Sequence, residues 1–275
     1  MIRLLGPCYD LSMGIYDREY YGKTLPRGGF GYFSVWSITT WLIVSNILIF
    51  LAEVILQRTL GPHTINVEGF EFPAPSPLYL WGYFSIDLAI RHGQVWRFLT
   101  FQFLHASPMH LIFNMIGIYF FGPIVEAHFQ GRRYLAFYLL CGVAGALCFL
   151  LLSAARLLNV DPQTPMIGAS AGIFGLLVAA AMIAPDVELF YYIFPITIRT
   201  AAIFGIGLAL YSVFSSGSNV GGEAAHLGGA LMGFVFMKNQ HWLNPFSSTR
   251  AEATASGRRR KRRRFQKDWS KDFNR

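Results

Sequence analysis

Few side chains in this sequence can do chemistry, and most of those sit among apolar residues. Ser170 lies in "MIGASAGIFG" (166–175) and His226 in "GGEAAHLGGALMG" (221–233). His105, His110 and Asn114 share "HASPMHLIFNM" (105–115), and Glu126 follows further along the same apolar run. A serine hydroxyl is a weak nucleophile until a neighbouring imidazole takes its proton. The tetrahedral intermediate of an acyl transfer needs hydrogen-bond donors aimed at its oxyanion. Ser170 with His226 answers the first need; Asn114, His110 and the backbone N–H of Ser170 answer the second. Each residue also has a plainer role. A small hydroxyl lets helices pack and bonds its own backbone, a lone membrane histidine bonds a carbonyl, and an asparagine clamps two helices. The elements that carry these residues decide between the two.

Those elements are apolar. The chain has 275 residues, of which 53% are hydrophobic and 14% charged, where a soluble domain carries about a quarter charged. From Val35 to Lys238 long windows hold almost no charge, as expected of an all-α polytopic membrane protein, since a bilayer core takes about 20 apolar residues per helix. Six spans are expected: Val35 to Leu56, Met109 to Val125, Tyr134 to Ala155, Met166 to Ala184, Thr200 to Phe214 and Gly222 to Met237. The last two are short for a full crossing. Residues 57–108 form one long outer connection with "LYLWGYFSIDLAI" and "QVWRFLTFQFL". It is too aromatic for a solvated loop and is expected to lie in the outer leaflet as short helices. "PDVELFYYIFPITIR" (185–199), broken by two prolines, is expected as an interfacial cytosolic connection or the start of the fifth span.

Six spans put both termini on one side. With the tail inside, the inner segments hold nineteen Lys/Arg and the outer segments four, so the positive-inside rule places the termini in the cytosol. Residues 250–275 alone carry eleven Lys/Arg against three acids, including "RRRKRRR". Such a run reads as a disordered tail that touches anionic lipid headgroups, and no nucleic-acid partner is needed to explain it. Three regions result: a cytosolic N-terminal arm 1–34, a membrane domain 35–240 and the basic tail 241–275. The first 30 residues mix charges without an apolar core and do not read as a signal peptide. Cys141 and Cys148 share one helix face and read as packing residues; the three cysteines offer no metal spacing.

Depth then sorts the polar residues. Ser170 and His226 each fall four residues into a span that descends from outside, and His110 and Asn114 share one face of the second span. Three helices thus bring a hydroxyl, two imidazoles and an amide to one layer below the outer surface. Glu126 is 16 residues past His110, about 24 Å further along, at the cytosolic end. No acid is expected in the layer, so the pattern predicts a Ser–His dyad without a third member. Small residues at Gly168 and Gly172, and at Ala225, Gly229 and Gly233, are expected to let the fourth and sixth helices meet nearly backbone to backbone.

Taken together, these motifs resemble the rhomboid family of intramembrane serine proteases. "GASAGIFG" is similar to the family's Gly-x-Ser nucleophile motif and "AHLGGALMG" to the motif of its last helix. The pattern around His105, His110 and Asn114 is similar to that of the second helix, with His105 as a structural first histidine. "VWRF" (Trp96, Arg97) resembles the Trp-Arg of the first outer loop, and Glu126 falls where the family closes its second helix with an acid. The likeness covers about residues 35–240. Ala171 stands where glycine is frequent, and Phe174 where some members stack a tyrosine on the catalytic histidine. The resemblance implies six transmembrane helices in a rhomboid-like bundle and a serine endopeptidase without metal or cofactor. Its substrates would be transmembrane proteins whose helix unwinds near its outer end, with a small residue before the cleaved bond. The outer part of the fifth helix and "SSGSNVGG" (215–222) would form a movable entrance. The compartment expected for such a chain is a bacterial cytoplasmic membrane. Two rivals remain at this point: a non-catalytic adaptor that binds unstable transmembrane helices, and a small transporter, which would need polar groups at every depth.

Overall fold

The structure, a computed structural model, describes residues 36–60, 65–67, 70–72, 75–191, 194–215 and 219–246. The arm, the tail from residue 247 onward and the middle of the loop before the last helix lie outside the described residues. The architecture below belongs to the unit Ile38–Arg275.

That unit is mostly helical. Its main helices are α1 (Ile38–Leu60), α2 (Pro77–Gly82), α3 (Arg97–Thr100), α4 (Pro108–Phe129), α5 (Gly131–Ala154), α6 (Ser170–Ile183), α7 (Ile198–Phe214) and α8 (Val220–Lys238). Six of them fall on the six apolar runs. Among the described residues α1, α4, α5 and α8 are long and apolar enough to cross a membrane. α6 has 14 residues and α7 has 17, about 21 and 26 Å at 1.5 Å per residue, against a hydrocarbon core of about 30 Å. The short pair is therefore the fourth and fifth helices, not the fifth and sixth. The last helix gains length because it starts at Val220, two residues early.

The fourth is short because its expected first turn is extended. Met166 pairs with Phe84 through both backbone bonds (2.7 and 3.0 Å), and Gly168 N–H donates to the Phe101 carbonyl at 2.9 Å. The outer connection thus holds 166–168 in a non-helical form, and α6 begins at Ser170 itself. Among the described residues, the strands form two antiparallel hairpins. β1 (Ile65–Val67) pairs with β2 (Phe70–Phe72), and β3 (Glu188–Tyr191) pairs with β4 (Phe194–Thr197). The second hairpin occupies the proline-broken segment before α7, where Pro195 forbids helix.

α5 and α6 occupy the middle. Tyr134, Phe137, Tyr138 and Cys141 of α5 are fully buried, as are Leu176, Ala179 and Ala180 of α6. α6 is apolar all round, the pattern of a helix surrounded by others. The outer helices turn apolar faces away from the core: Leu48, Leu51 and Ile55 on α1, Ile112, Phe113 and Tyr119 on α4, Phe204 and Leu208 on α7. Water does not tolerate such contiguous faces, whereas lipid does. The molecule is an integral, multi-pass membrane protein. The packed region continues past residue 240 as a 3-10 helix, Gln240–Phe246, with Leu243 buried and the Gln240 carbonyl accepting from Arg133.

Side chains satisfy the helix ends. Ser107 caps α4 by accepting from His110 N–H at 3.2 Å, with Pro108 at the first helical position. Glu126, near the far end of α4, caps α1: its carboxylate accepts from Ile38 N–H (2.7 Å), Thr39 N–H (3.0 Å) and the Thr39 hydroxyl (2.7 Å). Glu126→Ala leaves those amides without an acceptor and is expected to cost about 1–2 kcal/mol. Thermal unfolding in detergent checks this, with a lowered midpoint as the expected outcome. Arg97 does the same work in the outer connection. Its guanidinium donates to the carbonyls of Tyr83 and Leu80 at the end of α2 and to Gln94 Oε1. Trp96 stacks on Trp81 at 5.7 Å and donates to the Trp81 carbonyl. The Trp-Arg pair thus ties residues 80–97 together.

Candidate active site

Ser170 stands at the very start of α6, not one turn inside it. Its N–H and those of Ala171 and Gly172 have no carbonyl four residues back within the helix. Gly168, two residues earlier, has φ +124°, in the region that favours glycine. A Cβ there would also stand 2.8 Å from His110 Nε2. Glycine therefore both permits the turn into the helix and leaves room between Ser170 and the α4 histidine.

His226 Nε2 lies 2.8 Å from Ser170 Oγ, within the 2.6–3.2 Å or so that proton transfer requires. Phe174, one turn below the serine, stacks flat on the imidazole, with ring centroids 4.3 Å apart and planes 4° apart. The face of the ring is thus held without the hydroxyl that a tyrosine would bring. On the other side of the serine, Ala106 N–H donates to His110 Nδ1 at 3.3 Å. A neutral imidazole that accepts at Nδ1 carries its proton on Nε2, so His110 presents an N–H beside Gly168. Asn114 is 5% exposed and spends one amide hydrogen on the His110 carbonyl at 2.9 Å; the second is free to donate. Ser170, His226, His110 and Asn114 all line one cavity of about 800 Å³.

His105 stands behind this group. Its ring meets that of His110 edge-on at 5.1 Å and is 2% exposed. Burial, with His110 beside it, pushes its imidazole down to about 4, so it stays neutral at physiological pH and acts as packing. Glu126 and the Trp96–Arg97 pair are structural ties elsewhere, as described above.

Two expectations need correction. The first concerns the small-residue seam. Gly229 sits over the backbone of Ala171, and a Cβ on Gly233 would lie 2.6 Å from the Gly175 carbonyl oxygen. The α6 side of the seam is therefore Ala171 and Gly175. Gly168 faces His110 of α4, and Gly172 faces the Tyr138 ring of α5. Moving the helix start to Ser170 left the face of each glycine to be set by α4 and α5. The second concerns the absent acid. Glu223 Oε2 lies 3.0 Å from His226 Nδ1. Three residues apart on one helix face, the two differ by only about 4.5 Å in rise. A glutamate side chain spans that gap, and side chains on a helix lean toward its N-terminus. The spacing E-x-x-H was the available signal; sorting residues by backbone depth alone hid it.

A serine hydrogen-bonded to an imidazole, with a second histidine and an asparagine lining the same cavity, thus lies inside a helical membrane bundle. Residues 92–239 match the family model of the Rhomboid domain, more than half of the chain, and the chain belongs to the rhomboid family. It is 29% identical over 157 residues to "RHOMBOID-like protein 12, mitochondrial" of Arabidopsis thaliana, covering 53% of this chain and 46% of that protein. With "Rhomboid protease GluP" of Bacillus subtilis it shares 30% identity over 148 residues, covering 53% and 26%. "Rhomboid-like protease 2" of Toxoplasma gondii is 28% identical over 219 residues, covering 78% of this chain and 71% of the relative. The matched region thus spans less than half the length of the first two relatives.

Proposed function

We propose that this chain is a six-span intramembrane serine endopeptidase that cleaves transmembrane segments of other membrane proteins near the outer face. The observation that carries the reading is the 2.8 Å contact between His226 Nε2 and Ser170 Oγ. Both termini lie in the cytosol in this reading, the outer connection rests in the outer leaflet, and the basic tail meets anionic headgroups.

Ser170 Oγ attacks the carbonyl carbon of the scissile bond as its proton passes to His226 Nε2. The electron pair of the carbonyl moves onto its oxygen, which accepts from His110 Nε2–H, the free amide hydrogen of Asn114 and the Ser170 N–H. His226 then protonates the leaving amine as the C–N bond breaks. Water, deprotonated by the same imidazole, releases the acyl group and restores the serine. Substrates are single-span helices that unwind easily, with a small residue before the cleaved bond. α7 is the side by which they enter. Only Ile198, Ala202 and Ala209 of its 17 residues are buried, so displacing it exposes little core.

Asn114→Ala removes one oxyanion donor and keeps the serine and its base. It is expected to lower kcat about 10²-fold with little change in KM, read from cleavage of a fluorescent reporter. The reading itself is tested with the full chain in liposomes beside a single-span reporter carrying small residues near its outer end. Cleavage by the wild type, lost in Ser170→Ala, supports it. An intact reporter that co-purifies with both proteins supports the adaptor instead.

A further inference from the structure

We infer that Glu223 is a positioning residue for the base: it fixes the tautomer and in-plane orientation of His226, making a Ser170–His226–Glu223 relay. This rests on the serine endopeptidase reading above.

The contact is 3.0 Å between Glu223 Oε2 and His226 Nδ1, on the ring edge away from Ser170. A carboxylate only accepts, so Nδ1 bears the ring proton and Nε2 keeps the lone pair that receives the Ser170 proton. Without that acceptor the ring is free to carry its proton on Nε2, where it donates to the serine and cannot act as base. Phe174 fixes the plane of the ring by stacking, which leaves rotation within that plane undecided. Glu223 decides it. Catalysis needs no proton on the carboxylate: the serine proton goes to Nε2 and leaves with the amine, while the Nδ1 proton stays where it is.

Other duties for Glu223 fit less well. Among the described residues its ion-pair partner is His226, and no Lys or Arg approaches it. It is absent from the residues that line the cavity, whereas Asn219, Gly222 and His226 line it. The side chains are partly buried, 23% exposed for Glu223 and 15% for His226, so the pair is shielded from bulk water. The one competing role is electrostatic, because an acid in the first turn of α8 favours the helix dipole.

The experiment compares the full wild-type chain with Glu223→Ala, Glu223→Gln and Glu223→Asp in liposomes, with Ser170→Ala as the blank. Reporter cleavage gives kcat and KM, and ¹⁵N-histidine spectra, assigned with His226→Ala, give the tautomer. The expected result is a fall in kcat of about 10²-fold or more in Glu223→Ala, an intermediate loss in Glu223→Gln and an unchanged KM. His226 is expected to lose its Nδ1–H preference in Glu223→Ala. Glu223→Asp keeps the charge but retracts the oxygen by one methylene, so it is expected to lose rate, where a dipole role alone would leave it at the wild-type value. Wild-type kcat in Glu223→Ala overturns the inference, as does an unchanged tautomer. Absence of Ser170-dependent cleavage in the wild type overturns the endopeptidase reading instead, and the tautomer measurement still decides whether Glu223 sets the ring.

Discussion

Ser170→Ala and His226→Ala are each expected to stop cleavage, with kcat falling about 10⁴-fold or more, and the double variant is expected to fall no further. The physical basis is that the two side chains act as one unit. Nucleophilic attack needs the hydroxyl oxygen and a base 2.8 Å away in the same encounter, so removing either member removes the step. What survives is the weak help of the oxyanion donors, His110 and Asn114, on attack by water. Neither change should disturb the fold. Ser170 heads α6, where Ala169 already occupies the cap position without a side-chain bond, and loss of the imidazole leaves a gap beside Phe174 that opens onto the cavity. Near-additive losses, or a His226→Ala variant within tenfold of wild type, would mean that serine and histidine work separately.

Gly229→Val is expected to have the largest effect on stability, about 3 kcal/mol or more. A Cβ built on Gly229 falls onto the Ala171 carbonyl group, whose carbon lies 2.7 Å away, with Ala171 Cα at 3.2 Å. These are backbone atoms at the start of α6, and they have no rotamer to retreat into. α6 and α8 must therefore part, and the neighbouring contacts of Gly228 on Ala144 and of Gly233 on Gly175 part with them. Gly207→Val on α7 is the control, since a Cβ there meets nothing within 4 Å. Thermal unfolding in one detergent compares the two. Gly229→Val should lose most of its cooperative transition, and Gly207→Val should keep it. Equal midpoints would show that the helices separate at no cost.

The sequence made the helices legible because membrane burial leaves long apolar runs, and each of six runs contains one. It made Ser170, His226, His110 and Asn114 legible because polar groups are rare in such runs. The parts it hid depend on pairing between distant segments. Met166 joins Phe84 across more than 80 residues, and that bond, invisible to any local pattern, moves the start of α6 onto the serine. The β3–β4 hairpin is set by register, Leu189 opposite Ile196, in a stretch whose apolar character alone fits strand and interfacial coil equally. Glu223 was missed for a different reason. Its backbone lies above the reactive layer, and the reach of its side chain, with the N-terminal lean of His226, brings the two into contact.

The central claim is that Ser170 is activated by His226, and one measurement tests it most directly. The full chain in lipid is treated with a fluorophosphonate, and tandem mass spectrometry finds the modified residue. A single adduct on Ser170 is expected in folded wild-type protein and none in His226→Ala. Folded wild-type protein without an adduct on Ser170, in lipid and in several detergents, would contradict the claim and return the serine to the role of a small residue between packed helices.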